Sequence, residues 1–329
     1  MKYKYRTTKF VCYVGFVVQA IINNFLPILF VSLQDNYGLD YEKLARLIVV
    51  NFGTQTVVDL LTPKITKRFG YRTTAFLSQL TASMGLLMMG ILPNVMANKY
   101  LAICISAMVY AAGSGLMEVA LSPMVEILPS DNKRGSMQIL HSFYCWGQAF
   151  TIILTTALVG LFGSGNWSFI PLIWAVIPFV NAFCFLKVPI IEPPADEKQA
   201  TFLELLKRHQ FRGYMLMMLC AGASEIAMAQ WASLFAQRGL GVDKVIGDLA
   251  GPCAFALFMA LGRVTYGINA KKLDFKKAMI ILSILASACY LGVALSQSAV
   301  LSLALCAVCG LTVSIYWPAI YSQGAVDFK

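Results

Sequence analysis

A glutamate sits in the middle of AMVYAAGSGLMEVALSPMV, among residues that are otherwise apolar or small, and Glu118 is the side chain whose placement most needs a reason. A charged group at the centre of such a run costs about 2.5–3.5 kcal/mol or more in hydrocarbon, so it marks function by default. Its carboxyl can exchange a proton or accept a hydrogen bond from a hydroxyl; the alternative is a structural carboxyl paired to a neighbouring helix. The adjacent AAGSG run is small enough to let another helix approach closely. A second acid, Glu225, lies in LCAGASEIAMAQWASLF, with Gln230 and Trp231 following about one and a half turns on. Carboxylate, amide and indole together suit a polyhydroxylated solute, as hydrogen-bond partners and a flat apolar face; they equally describe a structural acid beside a packing indole. His141 opens a third apolar run, LHSFYCWGQ, with Tyr144, Trp146 and Gln148 behind it. An imidazole there is either a proton relay or an interfacial cap. Tyr316 and Trp317 precede Pro318 in the last run, as cavity lining or as plain aromatic packing.

The elements that must position these groups are membrane helices. Of 329 residues 58% are hydrophobic and only 13% charged, with a mean hydropathy of +0.69. Soluble domains carry about 25% charge, which excludes an ordinary water-soluble globule. A hydrocarbon core takes roughly 20 apolar residues of helix to cross, and ten segments qualify: 10–33, 44–63, 73–93, 99–127, 138–162, 168–189, 212–236, 246–268, 278–297 and 299–322. The opening basic stretch and first apolar run are no cleavable signal: the run is too long, holds Gln19, Asn23, Asn24 and Pro27, and lacks a small-residue cleavage site. Alternate connections hold 21 of the 26 basic residues, which predicts a cytoplasmic N-terminus in a plasma (inner) membrane. The net charge of +10 resides in these short loops, so no nucleic-acid partner is expected. All nine cysteines fall in apolar spans as small hydrophobes. Cys306-x-x-Cys309 has no second pair or histidine beside it, so no metal and no cofactor is expected.

The one long polar connection, 187–210, carries prolines and acids and then the amphipathic TFLELLKRHQ, expected along the membrane surface. It divides the chain into an N-terminal six-helix bundle at 1–189, a cytoplasmic linker at 190–211 and a four-helix C-terminal bundle at 212–329. Internal similarity points to duplication. KRFGYR at 67–72 aligns with KKLDFK at 271–276, and Gly115-Leu116 before Pro123 aligns with Gly310-Leu311 before Pro318. Paired signatures at equivalent spans of two halves are how transporter repeats show themselves. Asp59 and Arg263 occupy equivalent places in that alignment and read as gate charges on the cytoplasmic side.

The stretch PKITKRFGYR, with Arg68, Gly70 and Arg72 in place, resembles the basic loop between the second and third helices of the major facilitator superfamily, patterned G-x-x-x-D-R-x-G-R-R. It departs at Pro63 and at Lys67, which replaces the aspartate of any gating ion pair there. Within that superfamily, GLMEVALSPMVEILP and LHSFYCWGQ are similar to the fucose/glucose–galactose permease branch. The resemblance spans all ten segments. It implies an all-α polytopic membrane protein with a major-facilitator-type two-bundle fold, about ten of twelve transmembrane helices being present, so that the chain is expected to be C-terminally truncated. It implies a secondary transporter working by alternating access on a small sugar-like solute with protons, among membrane lipid and as a monomer. It places proton coupling at Glu118; together with the groups weighed above, the candidate solute contacts are Asn23, Asn24, His141, Trp146, Gln148, Glu225, Gln230, Trp231 and Tyr316. Where the branch often carries a first-helix acid, AIINNFLPILF offers Asn23 and Asn24, whose amides bind hydroxyls but carry no proton. Hence either Glu118 couples alone, another acid substitutes, or protons are not used. The rivals are a proton-driven exporter of hydrophobic or cationic compounds, and a sensor or inactive fragment that moves nothing. Neither a phosphate-binding loop nor a hydrolase motif occurs, and no enzymatic activity is expected.

Overall fold

The computed structural model describes residues 5–129, 133–192, 202–269 and 274–327, and every regular element within them is helical. The helices are α1 (Arg6–Ile28), α2 (Phe30–Tyr37), α3 (Tyr41–Val95), α4 (Lys99–Ile127), α5 (Lys133–Phe162), α6 (Phe169–Lys187), α7 (Phe202–Lys207), α8 (His209–Leu234), α9 (Lys244–Asp248), α10 (Ala254–Asn269), α11 (Phe275–Leu295), α12 (Ala299–Val313) and α13 (Tyr316–Asp327). Of the basic residues weighed for orientation, Lys2, Lys4, Lys198, Lys271, Lys272 and Lys329 lie outside the described residues.

Nine helical stretches among the described residues are long and apolar enough to cross a bilayer. The 55-residue α3 is two of these joined at Gly70, whose φ of 78° and ψ of 162° break the helix. A side chain at that φ clashes with its own backbone, so the bend requires glycine. Counting α3 twice yields the ten crossings the hydropathy predicts. The first predicted span is divided: Pro27 has no N–H to donate, α1 stops at Ile28, and α2 carries on to a left-handed Gly38. The predicted amphipathic stretch becomes the single short turn α7 followed by the start of α8. Side chains start several helices as N-caps. Asp40 accepts from Lys43 N, Asn98 from Leu101 N, Asp274 from Lys277 N and Ser298 from Leu301 N.

By contacts the chain forms two compact units, Met1–Asp131 with Phe143–Glu192, and Asn132–Ser142 with Pro193–Lys329. The sequence assigns all of 1–189 to one bundle, whereas the opening turns of α5 group with the second unit. In the first unit α4 lies along α3, α6 covers the second half of α3, and α1 packs on α4 and α6. The close approach of α3 and α4 relies on missing side chains: a Cβ on Gly113 would come within 2.6 Å of Ala82 N. Trp167, Trp174, Tyr110 and Phe25 fill the interior, and Trp174 Nε1 donates to Thr155 Oγ1 at 3.1 Å. In the second unit α12 packs on α10 and α11, and α13 on α8. There α11 leaves most of its apolar length uncovered, with 11% of its most apolar window buried against 83% for α1.

Candidate functional site

Polar residues four apart share one face of a helix. The first half of α3 carries Asn51, Gln55 and Asp59 at that spacing, and α1 carries Gln19 and Asn23. On α4, Ser114, Gly115 and Glu118 face the same interior. The three stripes meet inside the first unit. Gln19 Nε2 donates to Glu118 Oε2 at 2.7 Å, and Gln55 Nε2 donates to the same oxygen at 2.6 Å. Ser114 Oγ donates to Gln55 Oε1 at 3.2 Å, which fixes that amide with its N–H toward Glu118. Asn51 Nδ2 donates to Asn23 Oδ1 at 3.2 Å. The absence of a side chain at Gly115 makes the room: a Cβ there would lie 2.8 Å from Gln55 O and 3.1 Å from Asp59 Oδ1. Asp59 thus projects against α4.

Asn24 Nδ2 donates to Ala20 O at 2.9 Å and to Tyr144 Oη at 3.3 Å, joining α1 to α5. Gln148, 1% exposed, has no hydrogen-bond partner at Nε2 among the described residues. Trp146, by contrast, is 41% exposed and is not gathered with these amides.

The second unit has its own charged centre. Arg263 is 3% exposed on α10. Its Nη2 pairs with Glu225 Oε2 at 3.1 Å, its Nη1 donates to His141 O at 3.1 Å, and its Nε donates to Ser314 O at 3.0 Å. The two residues that sequence alone assigned to a gate and to the solute are therefore one buried ion pair. His141 is buried with its ring 5.8 Å from that of Trp317. Gln230 is 4% exposed on α8, Trp231 is half-buried, and Tyr316 is buried at the wall of a groove of about 970 Å³ between α8, α11 and α13. No lining residue of that groove is charged, so it suits apolar packing rather than a polar solute.

The basic loop that carries the resemblance is tied down inside the first unit. Arg72 Nη1 donates to Phe185 O at 3.0 Å and Leu186 O at 2.8 Å, satisfying carbonyls at the end of α6. Tyr71 N donates to Glu192 Oε1 at 3.2 Å beside Gly70, and the Arg68 guanidinium lies 5.2 Å from the centre of the Phe69 ring.

Sequence reading overlooked Gln19, Asn51, Gln55 and Ser114 as partners, although the 51/55/59 spacing was a usable signal. It also overlooked Asp248. That residue is fully buried, accepts from Ser233 Oγ and pairs with Lys244 Nζ at 3.0 Å. This pair lies between two π-helical turns, Phe235–Gly239 and Leu249–Cys253, a geometry frequent at functional positions. Among the described residues no group of three or more His, Cys, Asp or Glu is close enough to hold a metal ion.

The family model described as Major Facilitator Superfamily matches residues 11–328. Among solved structures, the E. coli fucose:proton symporter FucP, in a variant form, aligns at a TM-score of 0.73 and 17% identity, covering 98% of this chain and 84% of that one. FucP in the outward conformation aligns at 0.71 and 18%, with the same coverage. A D-xylose–proton symporter aligns at 0.69 and 12%, covering 96% of this chain and 81% of that one. At such identities the likeness shows the fold alone. No curated protein matches this chain by sequence. With a family model matching nearly its whole length, and with helices long and apolar enough for repeated membrane crossing, this multi-pass membrane protein belongs to the major facilitator superfamily of transporters.

Proposed function

We propose that this protein is a secondary transporter that moves a small polar solute, a sugar, by alternating access, with proton coupling through Glu118. The observation that carries the reading is the carboxyl of Glu118, set inside a membrane-embedded unit and gripped on one oxygen by the amides of Gln19 and Gln55. Both amides donate to the same oxygen, so the acid exchanges a proton at the expense of those two hydrogen bonds. In the second unit Glu225 is held by Arg263 instead, which fits a fixed charge better than a proton carrier.

The solute class rests on amides and aromatics rather than on charge. Asn23, Asn24 and Gln148 in the first unit, and Gln230 and Trp231 in the second, offer the donors, acceptors and flat apolar faces that hydroxyl-rich rings require. Printed descriptions of the structural neighbours, a fucose:proton symporter and a xylose–proton symporter, point the same way. Charge asymmetry of the connections supports a plasma (inner) membrane setting with a cytoplasmic N-terminus.

The test is solute-driven proton movement in proteoliposomes, across hexoses, deoxyhexoses and pentoses, with Glu118→Gln alongside. One sugar is expected to draw protons inward with it. In Glu118→Gln that proton flux vanishes while sugar exchange at equal concentrations persists. Proton movement driven by organic cations, with none driven by any sugar, would establish the exporter in its place. Sugar binding without flux in well-folded protein would establish a sensor.

A further inference from the structure

One face of the first half of α3 changes character abruptly as it nears the break at Gly70. Val57, Leu60 and Leu61 are exposed on it, and Lys64, Lys67 and Arg68 follow, also exposed. Steps of three and four residues put all six on one stripe of the helix. Thr62 and Thr66 lie on the opposite side and are buried, so the stripe faces away from the interior of the first unit. In a membrane-crossing helix an exposed apolar stripe meets lipid chains, and the point where it turns basic meets the headgroup layer. Phe69 is exposed as well, and the Arg68 guanidinium lies 5.2 Å from the centre of its ring. Apolar surface and positive charge thus stay in contact up to the break.

The two ends of this half of α3 treat their cations differently. At its start Lys43 pairs with Asp40 at 3.8 Å and Arg46 pairs with Glu42, each within one turn. At the Gly70 end no acid pairs with Lys64, Lys67 or Arg68 among the described residues. Glu192, which lies against Gly70, accepts from Tyr71 N instead. The acid of the family pattern is missing too, since Lys67 stands in its place. Three unpaired cations at the membrane surface select an anion.

We propose that this stripe is a docking site for an anionic phospholipid, its acyl chains along Val57, Leu60 and Leu61 and its phosphodiester on Lys64, Lys67 and Arg68. Arg68 offers a fork of N–H donors to phosphate oxygens, and the two ammonium groups add point charges. A zwitterionic lipid fits less well, because its own cation is brought up to three others. From Val57 to Arg68 the helix rises about 16 Å, about half the thickness of a hydrocarbon core, which one lipid covers. A free phosphate covers only the basic part of the stripe.

The experiment is native mass spectrometry of the purified protein in detergent, titrated with phosphatidylglycerol and, separately, with phosphatidylcholine of the same acyl chains. Wild type is expected to bind phosphatidylglycerol the more tightly. The triple variant Lys64→Gln, Lys67→Gln, Arg68→Gln is expected to lose about 100-fold of that affinity, about five-fold for each basic residue, and to keep its phosphatidylcholine binding. Each single variant reads its own share of the loss should the triple one not stay monodisperse. Lys67→Asp, which restores the acid of the family pattern, weakens phosphatidylglycerol binding beyond Lys67→Gln. Lys43→Gln with Arg46→Gln, at the other end of the helix, leaves it unchanged, which separates loss of the site from loss of charge in general. Equal affinity of wild type for the two lipids, phosphatidylglycerol binding unchanged in the basic-residue variants, or displacement of the lipid by equimolar inorganic phosphate overturns the proposal.

Discussion

Replacing Arg263 by methionine removes three hydrogen bonds at once and leaves Glu225 without the guanidinium that balances it. The side chains of the pair are 4% and 16% exposed, so water does not take over either role. Breaking one partner of a buried pair costs about 3–5 kcal/mol, chiefly as the penalty of an uncompensated buried charge. At about 2–4 °C per kcal/mol for a domain of this size, the apparent melting temperature falls by about 6–20 °C. Replacing both partners, Arg263→Met with Glu225→Leu, puts apolar groups where the pair was and recovers most of the loss, since buried pairs and their apolar substitutes are nearly balanced. The assay is heating of the four proteins in detergent, wild type, both single variants and the double, followed by the surviving monodisperse fraction. The cycle isolates the interaction between the two side chains. A melting temperature in Arg263→Met within about 2 °C of wild type, or a double variant no more stable than that single one, would refute the reasoning.

Gly310→Ala places a Cβ into the Phe255 carbonyl oxygen, and Gly115→Ala places one 2.8 Å from Gln55 O. Each overpacks a helix crossing by about 1–3 kcal/mol, and thermal stability in detergent is expected to fall more for Gly310→Ala, where the clash with backbone is tighter. Gly70→Ala forces a side chain into a φ of 78°, close to Glu192 Oε1, and is expected to cost about 1–3 kcal/mol, measured as a lowered melting temperature. Unchanged stability there would mean that the bend between the two halves of α3 is not held as described. Gln55→Leu removes one of the two amide donors on Glu118 and the acceptor of Ser114 Oγ. A hydrogen bond to a charged group is worth about 1.5–3 kcal/mol, so proton-driven sugar accumulation is expected to drop about ten-fold or more. Accumulation equal to wild type would remove Gln55 from the coupling site.

The membrane character and the ten crossings were legible in the chain itself, because hydropathy adds up over some 20 consecutive residues and does not depend on what the segment touches. That the expected 64–72 connection stays helical except at Gly70 was not legible there. Glu118 was legible: an acid in an apolar run stands out without any knowledge of its neighbours. Its partners were not. Gln19 reaches it across 99 residues of sequence and Gln55 across 63, and both contacts depend on how α1, α3 and α4 are rotated against one another. Arg263 and Glu225 are 38 residues apart, and in sequence the repeat alignment made one a gate charge while its neighbours Gln230 and Trp231 made the other a solute contact. Asp59 shows the division most sharply. As a residue near the end of an apolar span it reads as a gate charge; packed over Gly115, it becomes the neighbour of Glu118. Which residues lie in a membrane is a property of composition along one helix. Which charges are balanced, and by what, is decided only when helices distant in sequence are brought within a few ångströms in a medium that does not screen them.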